Sequence, residues 1–155
     1  MGAKGRRQSK PFIMNPPERI FVYGTLRQGY DNPFAQRLHE MAKFLGTATM
    51  RGELYLCTGG TFPYPAARSL PDAESMVVGE IYALEKGGHL LSELDRYEGV
   101  GPEFPEPQEY VRAIVAVLCE GSPCEAWCYL ANHPVVPADR ILSGDFKQAM
   151  PPAHT

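Results

Sequence analysis

Arg19-Ile20-Phe21-Val22-Tyr23-Gly24-Thr25-Leu26-Arg27 is the stretch on which the fold turns. Residues 19–23 form a short apolar run rich in β formers, which predicts a strand at the start of the ordered chain. Gly24 breaks that run, so Tyr23-Gly24-Thr25-Leu26-Arg27 lies at a strand end. Glycine there permits a positive φ and lets a ligand come close to the backbone. Successive N–H groups in such a turn converge into an anion-binding nest. Thr25 adds a hydroxyl, and Arg27 offers a partner for a carboxylate. Taken alone, one glycine after one strand is better read as an ordinary turn with a polar tip.

Outward from this turn, Asn32-Pro33 has the form of an N-cap followed by proline at the first helical position, opening a helix to about Met41. Residues 44–57 carry strand-like stretches with Gly46 and Gly52 as bends or bulges. Thr58-Gly59-Gly60-Thr61-Phe62-Pro63-Tyr64-Pro65 is too rich in glycine and proline for regular structure. Residues 77–84 read as a strand. Residues 109–119 and 125–130 read as two strands of a hairpin around Glu120-Gly121-Ser122-Pro123. About six strands and two helices follow from this pattern. With strands predominating, the natural architecture is a small, strongly bent sheet or barrel with helices packed against it.

A second informative stretch is Leu90-Leu91-Ser92-Glu93-Leu94-Asp95-Arg96-Tyr97-Glu98-Gly99, which reads as a short amphipathic helix. Leu91, Leu94 and Glu98 stand at i, i+3 and i+7 and share the apolar face. Gly99 supplies a left-handed stop. Glu98 would then be half-buried at the negative end of the helix dipole, and both effects raise a carboxyl pKa. Such a group takes and returns a proton near neutral pH. By pattern alone the plainer alternative, a last-turn glutamate turned to solvent, is preferred.

The chain has 155 residues, 44% of them hydrophobic, enough for one domain with a proper core. The net charge of −3 gives no electrostatic footprint for nucleic acid. Residues 1–18 are polar and basic and read as a disordered leader, residues 19–148 as the domain, and residues 149–155 as a flexible tail. No apolar stretch backs the basic start and none is long enough to span a bilayer, which excludes a signal peptide and a membrane helix and points to the cytoplasm. Cys57, Cys119, Cys124 and Cys128 fit no zinc spacing and are expected as small buried hydrophobes. Cys119 and Cys124 flank the hairpin turn, so a disulfide is geometrically conceivable there, though disfavoured in a reducing compartment. His39, His89, His133 and His154 show no metal spacing, so neither metal nor cofactor is expected.

Read together, these stretches resemble the γ-glutamylcyclotransferase-like proteins, a group that includes γ-glutamylamine cyclotransferases and AIG2-like proteins. Tyr-Gly-Thr-Leu-Arg after the first strand looks like their signature loop. The resemblance continues, in the family's order, through Gly52-Glu53-Leu54-Tyr55, Phe62-Pro63-Tyr64-Pro65 and Val78-Gly79-Glu80-Ile81-Tyr82. Leu94-Asp95-Arg96-Tyr97-Glu98-Gly99, Tyr110-Val111-Arg112 and Ala126-Trp127-Cys128-Tyr129 complete it, so that residues 19–146 are covered. The resemblance implies an α+β fold centred on a small β-barrel, with mixed strands, two or three short helices and a pocket at one end. It implies a glutamyl-binding loop at Tyr23, Gly24, Thr25, Leu26 and Arg27, and Glu98 as general acid/base.

The implied reaction closes a γ-glutamyl amine or amide to 5-oxoproline and frees the amine. The substrate brings its own nucleophile, and no metal or cofactor is needed. Tyr110 and Tyr129, on adjacent hairpin strands, are candidates to line the pocket. The proline-heavy residues 101–107 and the loop at residues 58–68 would shape the amine side. Arg112 is expected in a surface ion pair, Glu53 and Glu80 facing solvent, Trp127 in the core, and Asp95 off the Glu98 face. The expected partner is a small γ-glutamyl molecule, with a monomer as the default state. The alternative is a non-catalytic relative that binds a small acid or a protein partner in the same pocket.

Overall fold

β1 (Arg19–Val22) runs through the middle of the molecule, and its burial explains its composition. Phe21 points into one apolar cluster with Met50, Leu54, Val77, Ile81 and Cys128. Ile20 and Val22 point into a second, with Leu38, Tyr82 and Leu94. A strand covered on both faces has no polar side to show, hence the unbroken apolar run. Each fully buried side chain of this size contributes about 1.5–3 kcal/mol. The computed structural model describes residues 17–152 except 61, 86 and 87. The expected leader, up to residue 16, lies outside them.

The remaining strands are β2 (Lys43–Cys57), β3 (Tyr64–Ser69), β4 (Met76–Ala83), β5 (Tyr110–Cys119), β6 (Ser122–Ala131) and β7 (Arg140–Ile141). The helices are α1 (Pro33–Met41), α2 (Leu90–Glu98) and α3 (Phe146–Ala149). Sheet order is β3-β2-β4-β1-β6-β5, and β2 also pairs with β5. That last pairing joins β2, β4, β1, β6 and β5 into a closed barrel, while β3 and β7 extend β2 beyond it. β1 and β6 run parallel and the other pairs antiparallel, so the barrel is mixed, as expected. The fifteen residues of β2 serve four neighbours, and an irregularity between Phe44 and Gly46 bends it.

Several local readings are refined. Asn32 caps α1 by accepting from Ala35 N–H at 2.8 Å. The hairpin turn has two residues, Glu120 and Gly121, both at positive φ, since Cys119 pairs with Ser122. Cys124 therefore sits opposite Val117, not Cys119, and all four cysteines are free thiols, of which Cys128 alone is fully buried. Tyr64 and Pro65, expected in an irregular loop, begin β3: proline fits because this strand lies at the sheet's edge. Residues 149–152 stay with the domain, where Tyr30 donates to the Met150 carbonyl at 2.6 Å. Among the described residues no helix is long and apolar enough to cross a membrane.

Candidate active site

The turn after β1 is held from several sides. Arg27 N–H donates back to the Gly24 carbonyl at 3.1 Å, which closes it. Asn32 Nδ2 donates to the Thr25 carbonyl at 2.9 Å, and His39 Nε2 lies 2.8 Å from the Leu26 carbonyl. Gly24 is not at positive φ. It must be glycine for another reason: a Cβ there would lie 2.6 Å from Pro65 Cγ. Among the described residues no acceptor takes the Thr25 or Leu26 N–H, so both remain available to a ligand.

α2 brings the acid to this turn. Leu90 and Leu94 are its buried residues, with Leu91 and Tyr97 packed partly against the same cluster. Gly99 ends the helix at φ 72°, and Val100 N–H returns to the Asp95 carbonyl at 2.8 Å. The two elements meet where Thr25 Oγ1 and the Tyr97 hydroxyl lie 3.2 Å apart. Between them is a cavity of about 300 Å³ lined by residues 21–26, residues 63–65, Tyr97, Glu98, Glu109, Tyr110 and Tyr129. Its size suits a small molecule. Enclosure in this wall, and secondarily the charge of Glu109, raise the Glu98 carboxyl from 4.5 to about 8.

Of the residues singled out in the sequence, the fold brings Tyr23, Gly24, Thr25, Leu26, Glu98, Tyr110 and Tyr129 to one cavity. Arg27 is not among them. Its guanidinium is 4% exposed and turned away, 3.4 Å from Glu80 Oε2 and 2.8 Å from Asp145 Oδ1. Glu80, expected to face solvent, is 3% exposed and accepts from Gln28 N–H at 2.8 Å and from Tyr82 at 3.0 Å. Lys147 Nζ is 3.5 Å from it. Arg27 therefore anchors the turn to the barrel and to the chain before α3, and reaches no ligand from there.

The tyrosines are held by their hydroxyls. Tyr23 donates to the Tyr129 carbonyl at 2.5 Å and accepts from Ala67 N–H at 3.1 Å. Tyr110 donates to the Pro65 carbonyl. Tyr129 donates to Asp95 Oδ1 at 2.7 Å. Arg112 grips the same carboxylate through Nε at 2.7 Å and Nη2 at 3.2 Å, and lies 4.3 Å over the Trp127 ring. Arg112 is thus half-buried and not in a surface pair, Trp127 is partly exposed, and Asp95 reaches the site through Tyr129. Burial first, then nearby carboxylates, push the Tyr110 and Tyr129 phenols far up, so both stay protonated.

Reasoning from sequence passed over Tyr97 and Glu109, and set Asp95 off the Glu98 face without linking it to Tyr129. Tyr97 was signalled by adjacency to Glu98 on one helix. Glu109 immediately precedes β5 and lines the same cavity as Tyr110, where its charge adds to the raised Glu98 pKa. Among the described residues no cluster of three or more His, Cys, Asp and Glu side chains is arranged to hold a metal ion.

The family model for γ-glutamyl cyclotransferase, AIG2-like, matches residues 20–148, and the chain belongs to that family. A Methanocaldococcus jannaschii protein that bears a provisional γ-glutamylcyclotransferase name is 30% identical over 133 residues, covering 84% of this chain and 96% of that protein. γ-Glutamylaminecyclotransferase of Bos taurus is 31% identical over 120 residues, covering 74% and 67%. The crystal structure of an AIG2-like protein from Mus musculus superposes with a TM-score of 0.61 at 25% identity, covering 83% of this chain and 86% of that one.

Proposed function

We propose that this protein cyclises a γ-glutamyl amine or γ-glutamyl amide to 5-oxoproline and releases the free amine, with Glu98 as general acid/base. The observation that carries this reading is the Glu98 carboxyl, raised to about 8 inside a cavity whose other wall offers two free N–H donors. The names of the bovine and archaeal relatives support the same substrate class.

The substrate's α-ammonium gives one proton to the Glu98 carboxylate. The freed amine nitrogen bonds to the γ-carbonyl carbon and closes a five-membered ring. That nitrogen sheds a second proton, the C–N bond to the leaving amine breaks, and the amine departs as an ammonium carrying both protons. No proton is gained or lost overall. Because nucleophile and electrophile share one molecule, holding the chain folded supplies much of the rate. The Thr25 and Leu26 N–H groups receive the carboxylate or the oxyanion that develops on the γ-carbonyl. Free Glu98 is roughly one-tenth ionised at pH 7. An arriving ammonium favours the anion and so produces the base where it is needed.

The test is 5-oxoproline release from a panel of γ-glutamyl amines and dipeptides by the wild type and by Glu98→Gln. Release that falls by about 10²–10⁴-fold in the variant is the expected result. Equal release from both proteins removes Glu98 from the chemistry. No release from any member of the panel overturns the reading in favour of a pocket that binds without turnover.

A further inference from the structure

A phenol has one proton, and the group that receives it decides what the oxygen offers a ligand. The Tyr129 proton goes to Asp95 Oδ1, at 2.7 Å. Asp95 cannot return one, because both its oxygens accept from the Arg112 fork. Arg112 is itself pinned over Trp127. The Tyr110 proton goes to the Pro65 carbonyl. Tyr110 and Tyr129 both line the cavity, and no described residue donates to either phenol oxygen. Thr25 and Leu26 also line it, and among the described residues no acceptor takes their N–H groups. The cavity is therefore polarised, with acceptors from the hairpin and donors from the turn after β1. An amino-acid head, with an ammonium to donate and carbonyl or carboxylate oxygens to accept, matches that polarity.

We propose that Asp95 is a positioning residue: by taking the Tyr129 proton it fixes that oxygen, together with that of Tyr110, as an acceptor for the substrate ammonium. Asp95 acts only through Tyr129 and touches no substrate. The inference rests on the γ-glutamyl reading above for the identity of the ammonium. Were Asp95 replaced by a group able to donate, the Tyr129 proton would be free to turn into the cavity, where it would meet the ammonium's own hydrogens.

Binding separates this role from a merely structural one. In a Glu98→Gln protein, whose turnover is expected to fall by about 10²–10⁴-fold, calorimetry gives the affinities of γ-L-glutamyl-methylamide and of its des-amino counterpart, N-methylglutaramate. The expected preference for the amino compound falls about tenfold in Tyr129→Phe and in Asp95→Asn, and no further in the double variant. General loosening of the fold would weaken both compounds and leave the preference in place. If Asp95→Asn has lost its melting transition, Arg112→Lys, which keeps the charge but not the fork, must lower the preference instead. A preference that persists through these substitutions overturns the inference, and so does failure of the amino compound to bind. Wild-type turnover with an unmoved preference overturns this inference alone. A moved preference without wild-type turnover overturns the γ-glutamyl reading alone.

Discussion

The cavity wall around the half-buried Glu98 carboxyl, and then the like charge of Glu109, raise its pKa. Its folded pKa of about 8 lies above the ordinary 4.5. The stability linked to the bound proton is complete below the unfolded value and is lost as pH rises through the folded one. Glu98→Gln is therefore expected to match or trail the wild type at pH 5 and to exceed it by about 2 kcal/mol at pH 9. Thermal melts at the two pH values check this, and parallel curves would contradict it. In kinetics, kcat/KM for 5-oxoproline release should rise along an acid limb, because the base form is the scarce one below the pKa. Glu109→Gln should move that limb to lower pH. The place of Glu98 on the apolar helix face was legible, because helical periodicity is local, but by pattern alone a solvent-turned glutamate was preferred and the family resemblance was needed to choose it. Glu80 was not legible: a glutamate after glycine in a strand follows the usual outward alternation. Its charge is compensated by Arg27 and Lys147, which come from distant parts of the chain.

Two short elements make the site, and each depends on one glycine. The turn after β1 was singled out as a ligand loop only through the family resemblance, and its glycine was assigned the wrong physical reason. Gly24 serves close packing against Pro65, and no single-residue rule announces which segment will lie against a turn. Gly24→Ala is expected to push Pro65 and the turn apart and to lower kcat/KM by about 10²-fold. Steady-state kinetics on the folded variant check this, and wild-type values would show that the turn tolerates displacement. Gly99 was legible for the reason that holds, a left-handed helix stop. Gly99→Ala should cost about 1 kcal/mol in denaturant unfolding, the penalty of a Cβ at φ 72°. β3 was missed because Pro65, Pro63 just before it and the preceding glycines look like loop chemistry. Only its place at the sheet's edge makes that composition compatible with a strand.

At the scale of the molecule, the barrel closes through β2 with β5 and through the parallel pair β1 with β6. That strands predominate and bend into a small sheet or barrel was readable from alternation and turn spacing, but the full set of strands was not, since β3 and β7 were missed. The closing pairs were not readable either, since they join segments far apart in sequence. The same holds for the anchor in which Arg27 ties the turn to Glu80 and Asp145. Removing one partner of a buried ion pair leaves the others uncompensated, so Arg27→Ala should destabilise by about 3 kcal/mol and lower activity only through the turn it holds. Denaturant melts check the first statement, and an unchanged midpoint would show that Lys147 alone satisfies Glu80. The central claim is that the assembled cavity turns an ordinary glutamate into a proton carrier near neutral pH. Titration of the Glu98 side-chain carboxyl by carbon NMR, in the free protein labelled at that carbon, tests it most directly. A midpoint near 8 that moves lower in Glu109→Gln is the predicted result. A midpoint near 4.5 would contradict the account.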